Sequence, residues 1–252
     1  MNSAVYLRPP VPRKTRFPVV FAVCVAVLLA ASCSGTVTGV LKQDGSAEIE
    51  LEIALGKNMA ERLRLINRLM QAQDTRKEEP PLLDGPAIAL SMQAAPGISA
   101  AVLRNRGPSA VAGTVAVSHA GDFLALPVKA AGTPFIRYDP AGRLVISLDR
   151  ETGPQILSLL SEDVHDYLST LAAPVATGIP LTKAAYREIA ASLHGPQLAE
   201  EIAAARIPIT IEFPRPVREV RGGTARDRRA RFDLPLIDLL VLEEPLVYEV
   251  TW

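Results

Sequence analysis

Cysteine is scarce here: Cys24 and Cys33 are the only two among 252 residues. Two thiols cannot make the multi-bridge framework that holds small secreted domains together. Aromatic residues make up only 5% of the chain, few for a carbohydrate-stacking surface. Neither sign of charge dominates, with 27 basic and 27 acidic residues, which excludes a globally basic nucleic-acid binder. The longest apolar run, residues 17 to 31, falls short of the roughly 20 residues needed to cross a bilayer and is interrupted by Pro18. Signatures of catalysis are also missing: G-x-S-x-G, H-E-x-x-H, S-x-x-K, a Walker loop and G-x-G-x-x-G do not occur. What remains is a globular composition, 48% apolar and 21% charged, far from the profile of disorder.

That apolar run follows Arg8, Arg13, Lys14 and Arg16 and ends in small residues before Cys33, the order of a bacterial secretory signal. Leu28-Leu-Ala-Ala-Ser-Cys33 resembles the lipobox of bacterial lipoproteins, in a loose form with Ala30 three places before the cysteine and Leu29 one further out. The resemblance implies cleavage after Ser32, diacylglycerol on Cys33 and acylation of its new amine. Residues 1 to 32 are thus expected to be a signal peptide, and 33 to 252 one lipid-anchored domain. With Cys24 removed and Cys33 lipidated, no disulfide and no free thiol remain, so thiol catalysis, zinc knuckles and iron–sulfur clusters drop out together. The removed segment holds four basic residues and no acidic one, leaving 23 basic against 27 acidic. Two or more acyl chains hold a protein stably on a membrane, at about 0.8 kcal/mol per buried methylene.

After Ser34 and Gly35 comes strand-like sequence over residues 36 to 42, leaving almost no tether. Asp44-Gly45 marks a hairpin, and its return strand alternates Ile49, Leu51, Ile53 and Leu55 with Glu48, Glu50 and Glu52. Residues 57 to 73 have helical spacing, with Asn58 as cap and Glu61 completing a capping box. A charged loop over 74 to 82, a short helix from Asp84, and hairpins around 105–109 and 139–143 follow. A long helix is expected over 152 to 171, then two more over 182–193 and 196–205, split by His194-Gly195. Residues 207 to 213 alternate as a strand, a hairpin turns at Gly222-Gly223, a linking segment runs from 234 to 244, and a last strand ends at Trp252. This order predicts an α+β fold, a mostly antiparallel sheet built from hairpins with helices packed on one face.

Three constellations carry possible chemistry. Glu48, Glu50 and Glu52 recur about 6.5 Å apart on one strand face, a spacing open to acid–base or cation work but equally that of a solvated sheet face. Glu162 and His165 stand three apart, as in di-metal helices, but no second copy accompanies them, and His119 and His194 are remote; no metal is expected. Arg215, Arg218, Arg221, Arg226, Arg228, Arg229 and Arg231 crowd the Gly222-Gly223 region with Glu219 and Asp227 as the only acids among them. Near a bilayer each such charge contributes about 1 kcal/mol to anionic headgroup binding, which makes Arg218, Arg221, Arg226, Arg228, Arg229 and Arg231 the candidate headgroup contacts.

The opening Cys33-Ser-Gly-Thr-Val-Thr-Gly with its Asp44-Gly45 turn, and the ending from Gly222-Gly-Thr through Leu234-Pro-Leu-Ile-Asp to Val247-Tyr-Glu-Val-Thr-Trp252, resemble spirochaetal (treponemal-type) envelope lipoproteins of unassigned function. More distantly, the layout is similar to LppM-type lipoprotein domains. These resemblances imply an α+β body on the inner or outer membrane, in the periplasm or at the surface, and supply no catalytic residue. The expectation is a non-enzymatic envelope lipoprotein binding a lipid, glycolipid or protein partner, with no cofactor and no nucleic acid. An envelope hydrolase without a local motif, and an adhesin, are the alternatives.

Overall fold

The computed structural model describes residues 33–70, 81–94, 97–121, 136–153, 168–169 and 171–252. The signal and lipobox residues before Cys33, His165, and nearly all of the helix expected over 152 to 171 lie outside these. Eleven strands and six helices occur among the described residues, in chain order β1 Cys33–Leu41, β2 Ala47–Leu55, α1 Lys57–Met70, α2 Gly85–Gln93, β3 Ile98–Asn105, β4 Ala110–Val117, β5 Ile136–Asp139, β6 Arg143–Leu148, α3 Pro174–Thr177, α4 Lys183–His194, α5 Pro196–Ala204, β7 Arg206–Glu212, β8 Glu219–Arg221, β9 Gly223–Arg226, β10 Arg229–Pro235, α6 Leu236–Val241 and β11 Leu246–Thr251.

The α+β expectation holds. A seven-stranded sheet in the order β3-β4-β2-β1-β7-β10-β9 forms the body, and a four-stranded sheet in the order β5-β6-β11-β8 accompanies it. Every described strand pair is antiparallel except β1 with β7. The hairpins follow from their turns. Asp44 Oδ1 accepts from Ser46 N at 2.9 Å, and Gly45 takes φ +81°, which its missing Cβ permits.

Alternation places Leu51, Ile53, Leu55, Val111, Val115, Leu103, Ile207 and Leu234 on one face of the large sheet. There they pack against Met59 of α1, Met92 of α2, Tyr186 of α4, Leu198 and Ile202 of α5, and Leu236 and Leu240 of α6. The same face, further along, meets the small sheet in a second cluster of Leu41, Phe213, Ala230, Phe232, Val250 and Trp252. Phe213 and Trp252 pack with ring centroids 4.5 Å apart and planes tilted by 30°, and Trp252 N donates to the Gly142 carbonyl at 3.0 Å. Helices therefore share the inner face with a second sheet, which the sequence reading did not include.

Four local expectations are corrected. Cys33-Ser34-Gly35 belongs to β1 rather than to a tether, because β2 pairs with it from Cys33↔Leu55 and β7 from Ser34↔Arg206. Asn58 does not cap α1: Ala60 N donates to Gly56 O at 2.9 Å, and Asn58 lies inside the first turn. Gly222-Gly223 is not a hairpin turn but the crossing from the small sheet to the large one. Gly222 sits at φ +79°, and a Cβ there would lie 2.5 Å from the Val247 carbonyl oxygen. The turn falls at Asp227-Arg228 instead, with Asp227 at φ +53°. Lastly, residues 236 to 241 of the expected linking segment form α6, with Leu236, Leu239, Leu240 and Val241 buried.

Candidate functional site

The outer face of the large sheet is exposed or half-buried along its strands. Strand register lines its residues up in rungs. One rung runs Val102, Thr114, Glu50, Thr38, Thr210, Arg231, Thr224. The next runs Ala100, Ala116, Glu48, Val40, Glu212, Arg229, Arg226. Glu48, Glu50 and Glu52 are exposed, so these carboxylates line a solvated sheet face. They form an acidic stripe on β2, separated by the threonines of β1 and β7 from a basic stripe on β10 and β9.

The arginines of the sequence reading gather at one end of the sheet. Phe213 N donates to Arg228 O at 2.7 Å and Val217 N to Asp227 O at 2.8 Å, which brings the 213–218 segment against the β9–β10 turn. Arg215, Arg218, Arg226, Arg228 and Arg229 are therefore neighbours there, all exposed. Glu212 neutralises part of the cluster, accepting from Arg228 at 2.7 Å and from Arg229 Nε at 2.9 Å. Arg215 donates to the Ala141 carbonyl at 2.6 Å. Arg221 lies apart, opposite Glu249 on β11, and Glu249 pairs with Arg143 at 2.7 Å. Arg231 stands on the outer face of β10, one strand in from the β9 edge.

The position of this cluster relative to Cys33 is fixed by β1. Val40, on the Arg229 rung, is seven residues from Cys33, about 23 Å at 3.3 Å per residue. Cys33 and the arginines thus occupy opposite ends of the sheet.

A second feature was not foreseen from sequence. Between α1 and the α4–α5 turn lies a cleft of about 240 Å³ lined by Asn58, Glu61, Arg62, Leu65, His194, Gln197 and Leu198. Glu201 of α5 bonds to Asn58 of this lining and holds the start of α1: its Oε2 accepts from Asn58 N at 3.0 Å and Asn58 Nδ2 at 2.6 Å, and its Oε1 from Met59 N at 3.2 Å. A carboxylate there satisfies two of the orphan N–H groups of α1 and complements the helix dipole. At that volume the cleft is smaller than the roughly 300 Å³ at which small-molecule sites begin. Its one signal in sequence was the His194-Gly195 break.

His119 is exposed. Among the described residues no group of three His, Cys, Asp or Glu side chains is placed to hold a metal ion. No described helix is long and apolar enough to cross a membrane.

A scan against protein families finds no match, and neither does a search of curated proteins. A search of solved structures finds the NMR structure of the folded domain of the Mycobacterium tuberculosis LppM protein, at 11% identity and a TM-score of 0.36, covering 87% of this chain and 88% of that one. LppM-type is the more distant of the two resemblances read from the sequence layout, but at that level the likeness is remote and bears on neither mechanism nor ligand. The spirochaetal part of the resemblance gains nothing from these comparisons.

Proposed function

We propose that this chain is a lipid-anchored envelope domain without catalytic activity that binds a protein partner at the end of its sheet remote from the anchor. The observation that carries this reading is the course of β1, which starts at Cys33 and runs unbroken to Leu41 beside the arginine end. With β1 upright on the bilayer, the cluster stands about 23 Å from the lipid, well beyond the roughly 8 Å over which headgroup charge acts at physiological salt. With the sheet lying flat, the acids of β2 would meet the membrane together with Arg229 and Arg231, and no net attraction to anionic lipid results. A partially neutralised arginine cluster on a rigid sheet end is suited instead to an acidic protein surface, since arginine is enriched at protein interfaces.

The test uses the full chain in a bacterial host and then on vesicles. Cys33→Ser should move the protein from the membrane to the soluble fraction, and the purified variant should not bind vesicles rich in anionic lipid. The Arg218→Glu, Arg226→Glu double variant, with Cys33 intact, should stay on membranes while losing its cross-linked protein partners. Arginine-dependent binding of the Cys33→Ser protein to anionic vesicles would refute the reading and return the arginines to headgroup contact.

A further inference from the structure

The outer sheet face holds charge that the monomer does not pair. No ion pair to Glu48, Glu50, Glu52 or Arg231 forms among the described residues, whereas Arg228 and Arg229 share Glu212. Glu50 and Arg231 share a rung but sit three strand spacings apart, about 14 Å. Strand side chains stand roughly perpendicular to the sheet rather than along it, and no ion pair joins the two within one chain. Between them lie only Thr38 and Thr210, uncharged and flat.

We propose that two copies of this chain associate face to face through this uncovered side of the large sheet, about a two-fold axis that lies in the interface and runs parallel to β1 and β7. Rotation about that axis lays β2 of one copy over β10 of the other without changing height along the strands. Glu50 then faces Arg231 of the second copy, Glu48 faces its Arg229, and both pairs recur by symmetry. Packed sheets lie about 10 Å apart, a gap that glutamate and arginine together span. Glu52 faces Asp233, so the association is held at the end remote from Cys33. The charge pattern selects this axis. A two-fold axis across the strands would instead set Glu48 against Glu52, and both Glu50 and Arg231 against their own copies.

The chosen axis has a second consequence: it leaves both Cys33 residues at the same end, so both anchors enter one bilayer. Area fits a contact of this kind. Six strand spacings by seven residues give about 650 Å² on each copy, or about 1,300 Å² together, the lower end for stable interfaces. Such a dimer is weak in dilute solution and favoured where anchoring raises the local concentration. The contact is independent of what binds the sheet end, since its diagnostic residues, Glu50 and Arg231, are not those substituted to test the partner.

The experiment places Thr38→Cys in the full chain and treats membranes with a short bismaleimide, because the two Thr38 positions would stand about 11 Å apart. The chain without Thr38→Cys sets the background. A cross-linked dimer is expected, lowered about tenfold or more by Glu50→Arg or by Arg231→Glu, since each reversal turns two attractive pairs repulsive. Combining the two reversals should restore the yield to within about threefold of the parent. A dimer absent above background, indifferent to the single reversals, or unrestored by the swap would overturn the proposal. Both positions are exposed, and unchanged thermal melting of the variants confirms that the fold is intact.

Discussion

Glu201→Ala should be among the more damaging substitutions of an incompletely buried residue in this protein. Glu201 sits on α5, yet it holds the start of α1, 143 residues earlier in the chain, through Asn58 N, Asn58 Nδ2 and Met59 N. Losing a cap costs about 0.5–2 kcal/mol, and losing the charge beside the helix N-terminus about 0.3–1 kcal/mol more. The part-buried setting leaves Asn58 and Met59 N–H groups without an acceptor, which pushes the sum toward its upper end, about 2–3 kcal/mol. For a chain of this size each kcal/mol moves the melting temperature by about 2–4 °C, so a fall of roughly 4–12 °C is expected. Glu201→Gln keeps an acceptor and loses only the charge, so it should fall about half as far. Far-ultraviolet circular dichroism on heating reads both. A drop below about 2 °C for alanine, or equal drops for alanine and glutamine, would show that this carboxylate does not hold α1 in the way the geometry implies.

Two further substitutions probe the path of the chain. Gly222→Ala forces a side chain into a left-handed conformation and against the Val247 carbonyl, so urea unfolding should show a loss of about 2–4 kcal/mol; a loss under about 1 kcal/mol would mean the crossing tolerates a Cβ. Asp149 accepts from Thr152 N at 2.8 Å, Thr152 Oγ1 at 2.9 Å and Glu151 N at 2.9 Å, and the bonds from Thr152 hold its carboxyl below the ordinary value despite some desolvation. A carboxylate with a lowered folded pKa stabilises above its unfolded value, about 4, and loses that contribution as pH falls through the folded one. Asp149→Asn should therefore destabilise at neutral pH, by on the order of 1 kcal/mol after allowing for exposure, and the difference from the parent should shrink below about pH 4. A pH-independent difference would rule that origin out.

Local elements were legible because local physics sets them. The Glu48, Glu50, Glu52 alternation identified β2, Asp44-Gly45 its turn, and the Thr182 and Gly195 boundaries the two helices around His194, where Thr182 Oγ1 accepts from Ala185 N at 3.1 Å. The misses share a cause. Cys33-Ser34-Gly35 carries no alternation, and it becomes strand only because β2 and β7 flank it. Asn58 has the right chemistry for a cap, but Glu201 supplies the carboxylate from far along the chain. Leu236–Val241 is too short to show a helical period, and its one polar residue, Asp238, interrupts the apolar run; burial of Leu236, Leu239, Leu240 and Val241 is what makes it a helix.

The same limit decides how much of the candidate site could be seen. The arginine run and the glutamate stripe are both plain in the sequence, but their relation rests on the β1–β7 pairing, a parallel contact between strands about 170 residues apart. Alternating strands do not announce their partners, and parallel pairs need a crossover that no turn signal marks. Had β7 paired antiparallel to β1, Glu212 and the β9–β10 turn would lie beside Cys33. Because the pairing is parallel, Val40 meets Glu212, the basic end points away from the anchor, and Glu50 and Arg231 fall on one rung. The placement of charge relative to Cys33, and of acid against base on the open face, is thus one consequence of a single long-range register.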